Sequence, residues 1–189
     1  MHMFDDKDMK IFGSPKIENE ADVLIRIVEI MKKQRANGNM DRAKALGETI
    51  ARKSYALEGF ESELLGRIDE YKDNEDISDQ IRMLVNFTVE AEIHVLLEKY
   101  SVSTMTVNAF YDELIKLDED LYDNITNAFT YYYLVLRKGG DVASGMGKQF
   151  AKLCSDKENE KLQILGKDIF NAICENLKLE IEKAEFVNE

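Results

Sequence analysis

Glu90 and His94 are the residues in this sequence whose types and spacing most suggest a chemical site. They lie four residues apart, with Glu92 between them. On an α-helix this spacing places both side chains on one face, one turn apart, where they could bind a metal ion. The only other histidine is His2, and the paired Glu-x-x-His pattern of di-iron bundles is absent. We therefore predict no metal site and no cofactor, and interpret His94 as a buried or half-buried histidine beside a carboxylate.

The same three residues are the best candidates for catalysis. If the helix that carries them is enclosed, Glu90, Glu92 and His94 are the polar groups that lose most contact with water. Such desolvation shifts pKa values. The alternative is that they form the solvent-facing stripe that an amphipathic helix needs. We prefer this alternative, which favours a non-enzymatic protein and leaves an enzymatic one as the alternative.

Three consecutive tyrosines, Tyr131, Tyr132 and Tyr133, form the second candidate binding feature. Successive residues of a helix point about 100° apart, so these rings fan around the axis and cannot all be buried. At least one hydroxyl should reach the surface or a cavity. Tyrosine suits a pocket or an interface because its ring is apolar and its tip is polar.

The string from Gly140 to Gln149 resembles a phosphate-binding loop only superficially. That loop needs a glycine where Val142 stands and a serine or threonine where Gln149 stands, and a strand must lead into it. We interpret the string as the end of one helix followed by an amphipathic helical turn.

Composition excludes several classes of partner. With 37 acidic and 25 basic residues the net charge is −12. Such a charge repels phosphate backbones and anionic lipids, so we expect no nucleic acid and no membrane as partners. An acidic surface can instead imitate nucleic acid toward a nucleic-acid enzyme, which is our third functional hypothesis.

The chain should be cytoplasmic. Its first eight residues contain neither a basic start nor an apolar segment, and the longest apolar run, 131–136, is too short to cross a bilayer. Cys154 and Cys174 have no CxxC spacing, which favours a reducing compartment. We expect both to be small core residues.

The pattern of apolar residues and turn formers is helical throughout, and the chain has only one proline. We predict a flexible segment over 1–13 and a single helical domain over 14–189. Helices are expected from Ser14-Pro15 to Asn37, in two pieces over 40–71 with a joint near Gly59, over 78–100, around 107–114, over 121–138, after Asp141, and from Ser155-Asp156 to Ala184. The first helix has a wide apolar face, which predicts neighbours on two sides.

The sequence therefore predicts an all-α fold, an irregular helical bundle of about six or seven helices, with a central buried helix at 78–100 and a long C-terminal helix. The preferred function is a non-enzymatic helical module that binds another protein or self-associates. The alternative is a small-molecule-binding or enzymatic bundle with a cavity near Glu90 and His94.

Overall fold

The computed structural model describes residues 19–124 and 126–187. Within these residues the chain forms nine α-helices and no strand, so the all-α class is confirmed. The helices are α1 (Glu20–Ala36), α2 (Asn39–Tyr55), α3 (Ser62–Asp69), α4 (Glu75–Leu97), α5 (Ser103–Leu117), α6 (Glu119–Asn124), α7 (Thr126–Lys138), α8 (Val142–Leu153) and α9 (Glu160–Lys183), with a 3-10 turn at Glu98–Tyr100. They outnumber the six or seven expected, in part because 121–138 contributes to two helices. The predicted flexible segment 1–13 and the predicted start at Ser14 lie outside the described residues.

Glycine produces the break in the long segment 40–71. Gly59 lies between α2 and α3 with a φ of 88°. Residues other than glycine adopt this left-handed backbone conformation only with strain. The prediction of two helices with a joint near Gly59 is therefore confirmed.

Helix α4 is the central element. Its side chains at Leu84, Phe87, Val89 and Ile93 are fully buried, and it packs against α2, α5, α7, α8 and α9. Asn74 caps its start, since the Asn74 side-chain oxygen accepts a hydrogen bond of 3.1 Å from the main-chain nitrogen of Ile77. The predicted central helix thus begins three residues earlier than expected and ends in the 3-10 turn.

The long C-terminal helix is also confirmed. Helix α9 starts behind the capping residue Asn159, whose side chain accepts from the main-chain nitrogen of Leu162 at 3.2 Å. It crosses α8 closely, because Gly147 of α8 has no side chain that would keep α8 away from the main chain of Gln163. Its apolar stripe then packs against α4 and α8, so that α9 closes the core along one side.

Within the described residues, helix α1 lacks the second neighbour that its wide apolar face predicts. It packs chiefly on α2, and its Gln34 is 2% exposed. Five of its apolar residues are exposed, with exposed fractions of 62% for Leu24, 57% for Ile25, 45% for Ile27, 47% for Val28 and 48% for Met31. Helical periodicity identified these residues as one face but could not show that no described helix covers it.

Candidate functional site

Glu90 joins three helices. Its carboxylate, on α4, accepts hydrogen bonds from the hydroxyl of Tyr133 on α7 at 2.7 Å and from the hydroxyl of Tyr111 on α5. Two of the predicted residues, Glu90 and Tyr133, are therefore brought together. Tyr111 was missed, because it lies 21 residues away and no local pattern links it to Glu90.

The electrostatics of this cluster favour a structural role. Burial, together with donation to the Glu90 carboxylate, raises the pKa of Tyr133 to about 12. The hydroxyl of Tyr133 consequently stays protonated near neutral pH and cannot serve there as a base. Both hydroxyls donate to the charged carboxylate, and such hydrogen bonds to an ionised group are stronger than neutral ones. The arrangement holds α4, α5 and α7 in register.

Neither hydrogen bond of this cluster involves His94. Its side chain is exposed, so the expectation of a buried or half-buried histidine is wrong. Glu92 instead accepts a hydrogen bond from the thiol of Cys174. Burial raises the pKa of that thiol to about 12, and the hydrogen bond to Glu92 contributes to the shift. Glu90 and Glu92 therefore contact different neighbours, whereas His94, one turn beyond Glu90 on the same face, is exposed.

Among the residues that the structure describes, no three His, Cys, Asp or Glu side chains converge in a way that could hold a metal ion. Cys154 and Cys174 are both partly buried free thiols. Burial raises the pKa of Cys154 to about 12, as it does for Cys174. Neither thiol is therefore prepared for nucleophilic chemistry near neutral pH.

The three tyrosines fan around α7 as predicted. Tyr132 is fully buried, whereas Tyr131 and Tyr133 are 48% and 39% exposed. The ring of Tyr132 packs on Phe87, with ring centres 5.1 Å apart. Its hydroxyl has no hydrogen-bond partner within the described part of the chain, and burial raises its pKa far above the usual range.

The glycine-rich string is structural. Gly139 and Gly140, with φ values of 65° and 78°, form the turn after α7, and Asp141 caps α8 by accepting from the main-chain nitrogen of Ser144 at 3.0 Å. Gly147 lies in the crossing of α8 with α9. The predicted turn followed by an amphipathic helix is confirmed.

Two of the clefts on the described surface are large enough for a small molecule and lie elsewhere. One of about 500 Å³ is lined by α2, α3 and α4, with Tyr55, Asp69 and Arg82 in its walls. The other, of about 660 Å³, runs between α1 and the pair α2 and α5, with Met31, Met40 and Met105 among its lining residues. Neither is lined by Glu90, His94 or the three tyrosines, so the small-molecule site near Glu90 and His94 stays a prediction.

Sequence reasoning missed the exposure of the α1 face, which we define as Leu24, Ile25, Ile27, Val28 and Met31. It borders the larger cleft through Ile27 and Met31. The turn behind it is well anchored: Asn39 is fully buried, donates to the side-chain oxygen of Gln34 at 2.6 Å and to the carbonyl of Val187 at 2.9 Å, and accepts from the Val187 nitrogen at 2.9 Å. The turn after the C-terminal end of α1 is therefore hydrogen-bonded to the C-terminal segment of the chain.

None of the helices in the described ranges is long and apolar enough to cross a bilayer. Comparison of the chain with protein-family models, with curated proteins and with solved structures gave no match.

Proposed function

We propose that the protein is a non-enzymatic cytoplasmic module that binds an amphipathic helix of another polypeptide on the α1 face. The observation that carries this proposal is the exposure of five contiguous apolar side chains on one helix, each between 45% and 62% accessible. Helices normally bury such a stripe against a neighbour. The chain instead presents it to a partner.

The size of the surface supports this assignment. Five such side chains expose roughly 500 Å² of apolar area, which is near the upper end of the largest patches on monomeric proteins, and patches of this size are often functional. The cleft beside α1 adds Met40 and Met105 to the apolar surface. Methionine is common on surfaces that accept helices, because its flexible side chain adapts to the partner.

The alternative of an active site at Glu90 and His94 has less support. The carboxylate of Glu90 is occupied by two tyrosine hydroxyls, and the side chain of His94 is exposed. The hypothesis of nucleic-acid mimicry stays a prediction from net charge.

A comparison of two variants tests the proposal. Leu24→Glu places a charge in the α1 face, and Val95→Glu places the same charge at a 68% exposed position on α4. Wild-type protein and both variants are immobilised and offered whole-cell extract and a purified tagged copy of the chain. The bound species are then quantified by mass spectrometry.

We expect at least one species to bind to wild-type protein and to Val95→Glu but to lose at least tenfold in occupancy on Leu24→Glu. The reason is that a charge buried in an apolar interface costs several kcal/mol. Identical binding profiles for all three proteins would contradict the proposal. Circular dichroism of both variants excludes unfolding as the cause.

A further inference from the structure

We propose that the cleft between α2, α3 and α4 binds a small molecule that has an apolar body and a single carboxylate. This cleft shares no lining residue with the α1 face, so it adds a second, independent site to the proposed function. Four features point to such a ligand: a guanidinium without an acidic partner, an aromatic ring that holds it, a buried amide with an unused N–H, and apolar walls.

Arg82 supplies the positive charge of the site. It is half-buried on α4 and lines the cleft. Within the described part of the chain its guanidinium forms no ion pair and donates no hydrogen bond. By contrast, Arg52 and Arg67 each donate to a carboxylate, at 2.6 and 2.8 Å. A guanidinium carries five N–H donors in a planar fork that matches a carboxylate, so Arg82 is suited to bind one from a ligand.

The ring of Tyr55 holds this guanidinium in place. The central carbon of the guanidinium lies 4.9 Å from the centre of the ring, in a cation–π contact. The hydroxyl of Tyr55 donates a long hydrogen bond of 3.5 Å to the carboxylate of Asp118, which fixes the other end of the ring. A side chain that is held before binding loses less freedom when the ligand arrives. Arg82 is therefore better prepared for an anion than a mobile surface lysine.

Asn86 provides a second donor on the buried side of the cleft. It lines the cleft one helical turn after Arg82 and is only 3% exposed. Its side-chain nitrogen donates to the main-chain carbonyl of Arg82 at 2.9 Å. A side-chain amide has two N–H donors, and the second one has no partner among the described residues. Because buried polar groups normally have a partner, this N–H favours a ligand that can accept from it.

The charge of the lining residues selects an anion with one negative charge. Besides Arg82, the charged residues of the lining are Lys72 and Asp69. These two side chains form an ion pair of 3.4 Å at the exposed rim. The net charge of the lining is therefore +1, and a carboxylate neutralises it. A phosphate monoester carries nearly two negative charges, so it would leave one uncompensated in a largely apolar cleft.

The other walls of the cleft suit the apolar body of the ligand. They include five aliphatic side chains, Leu57, Ile68, Ile81, Val85 and Leu121. The volume of about 500 Å³ lies within the range of about 300–1,000 Å³ that is usual for small-molecule sites. Such sites combine apolar walls with a few polar groups that fix the orientation of the ligand. The carboxylate would meet Arg82 while the rest of the molecule packs on the aliphatic walls.

Calorimetric titration of the full chain with octanoate tests the proposal. Two further probes have the same alkyl chain: 1-octanol is uncharged, and octyl phosphate carries the additional charge. Arg82→Met removes the positive charge and keeps an unbranched side chain. Arg137→Met is the matched control, because Arg137 is exposed on α7 and does not line the cleft. Leu24→Glu tests whether the α1 face contributes.

We expect octanoate to bind wild-type protein with a dissociation constant of about 1 mM or below. Arg82→Met should weaken this binding roughly tenfold or more, because hydrogen bonds to charged groups contribute more than neutral ones. Arg137→Met and Leu24→Glu should bind octanoate as the wild type does. 1-Octanol should bind equally to wild type and Arg82→Met, which shows that the cleft is intact, and octyl phosphate should bind more weakly than octanoate.

Nuclear magnetic resonance of ¹⁵N-labelled wild-type protein locates the ligand without any substitution. Octanoate should shift the resonances of the Arg82 side-chain N–H and of the Asn86 side-chain amide more than those of α1. Largest shifts in α1 would overturn the proposal, as would a lack of octanoate binding or equal octanoate binding to wild type and Arg82→Met. Tighter binding of octyl phosphate than of octanoate would overturn the assignment of a carboxylate.

Discussion

Replacing Gly147 by alanine should destabilise the fold, because this glycine lies where α8 crosses α9. A Cβ atom at Gly147 would lie 3.1 Å from the carbonyl carbon of Gln163 and 3.1 Å from the main-chain nitrogen of Lys167, and closer still to the Gln163 oxygen. All three atoms belong to the main chain of α9. No side-chain rotation can relieve the contact, so the two helices must separate.

The magnitude follows from two opposing effects. Overpacking of this kind costs about 3 kcal/mol, the upper end of the usual range, because backbone rather than side chain must move. Alanine returns about 1 kcal/mol through its higher helix propensity. The net expectation is a loss of about 2 kcal/mol in the free energy of unfolding.

Gly66 provides the matched control. It also lies inside a helix, α3, but a Cβ atom placed there meets no heavy atom within 4 Å. Gly66→Ala should therefore stabilise the protein by about 0.5–1 kcal/mol through helix propensity alone. The same substitution at two helical glycines is thus expected to act in opposite directions.

Urea unfolding followed by circular dichroism measures both effects. With a urea dependence of about 2 kcal/mol per molar, the midpoint of Gly147→Ala should fall by about 1 M, while that of Gly66→Ala should rise slightly. If Gly147→Ala were as stable as the wild type, the packing explanation of the glycine-rich string would be wrong. A phosphate loop would predict the reverse pattern, with nucleotide binding lost and stability retained.

Three further expectations concern named side chains. Glu90→Ala should lower the free energy of unfolding by about 1–2 kcal/mol, because it removes the acceptor of two hydroxyls, and absorbance at 295 nm should show the pKa of Tyr133 falling from about 12. In the wild type that pKa lies above the ordinary 10.0, so the stabilisation from neutral Tyr133 is fully present below pH 10 and is lost as the pH rises from 10 to 12. Tyr132→Phe should leave the unfolding temperature unchanged or raise it, since it removes a buried hydroxyl without a partner in the described chain; a clear drop would reveal an undetected partner. Asn39→Ala should cost about 1–3 kcal/mol and accelerate amide hydrogen exchange at Val187, whose nitrogen donates to Asn39 at 2.9 Å; unchanged exchange would refute the anchoring of the C-terminal segment.

Local patterns in the sequence predicted much of the secondary structure. The helical class, the joint at Gly59 and the turn at Gly139 and Gly140 could all be predicted, because glycine conformation and apolar periodicity act over a few residues. The fan of the three tyrosines was also predictable, since 100° per residue is a property of any α-helix. The central position of α4 followed from its composition.

Contacts between distant helices were decided by the tertiary structure alone. The pairing of Glu90 with Tyr111 and Tyr133 depends on how α5 and α7 pack against α4. The exposure of His94 depends on the rotation of α4 about its own axis, since the preceding residue, Ile93, is fully buried and the following one, Val95, is 68% exposed. No periodicity in a single helix determines that rotation.

Helix α1 illustrates the same division. Its sequence determined a helix with one wide apolar face. Only the packed structure showed that the described helices leave this face uncovered, because burial depends on which neighbours the rest of the chain can supply. Periodicity determines what a helix needs to bury, whereas the tertiary fold determines whether its own chain buries it.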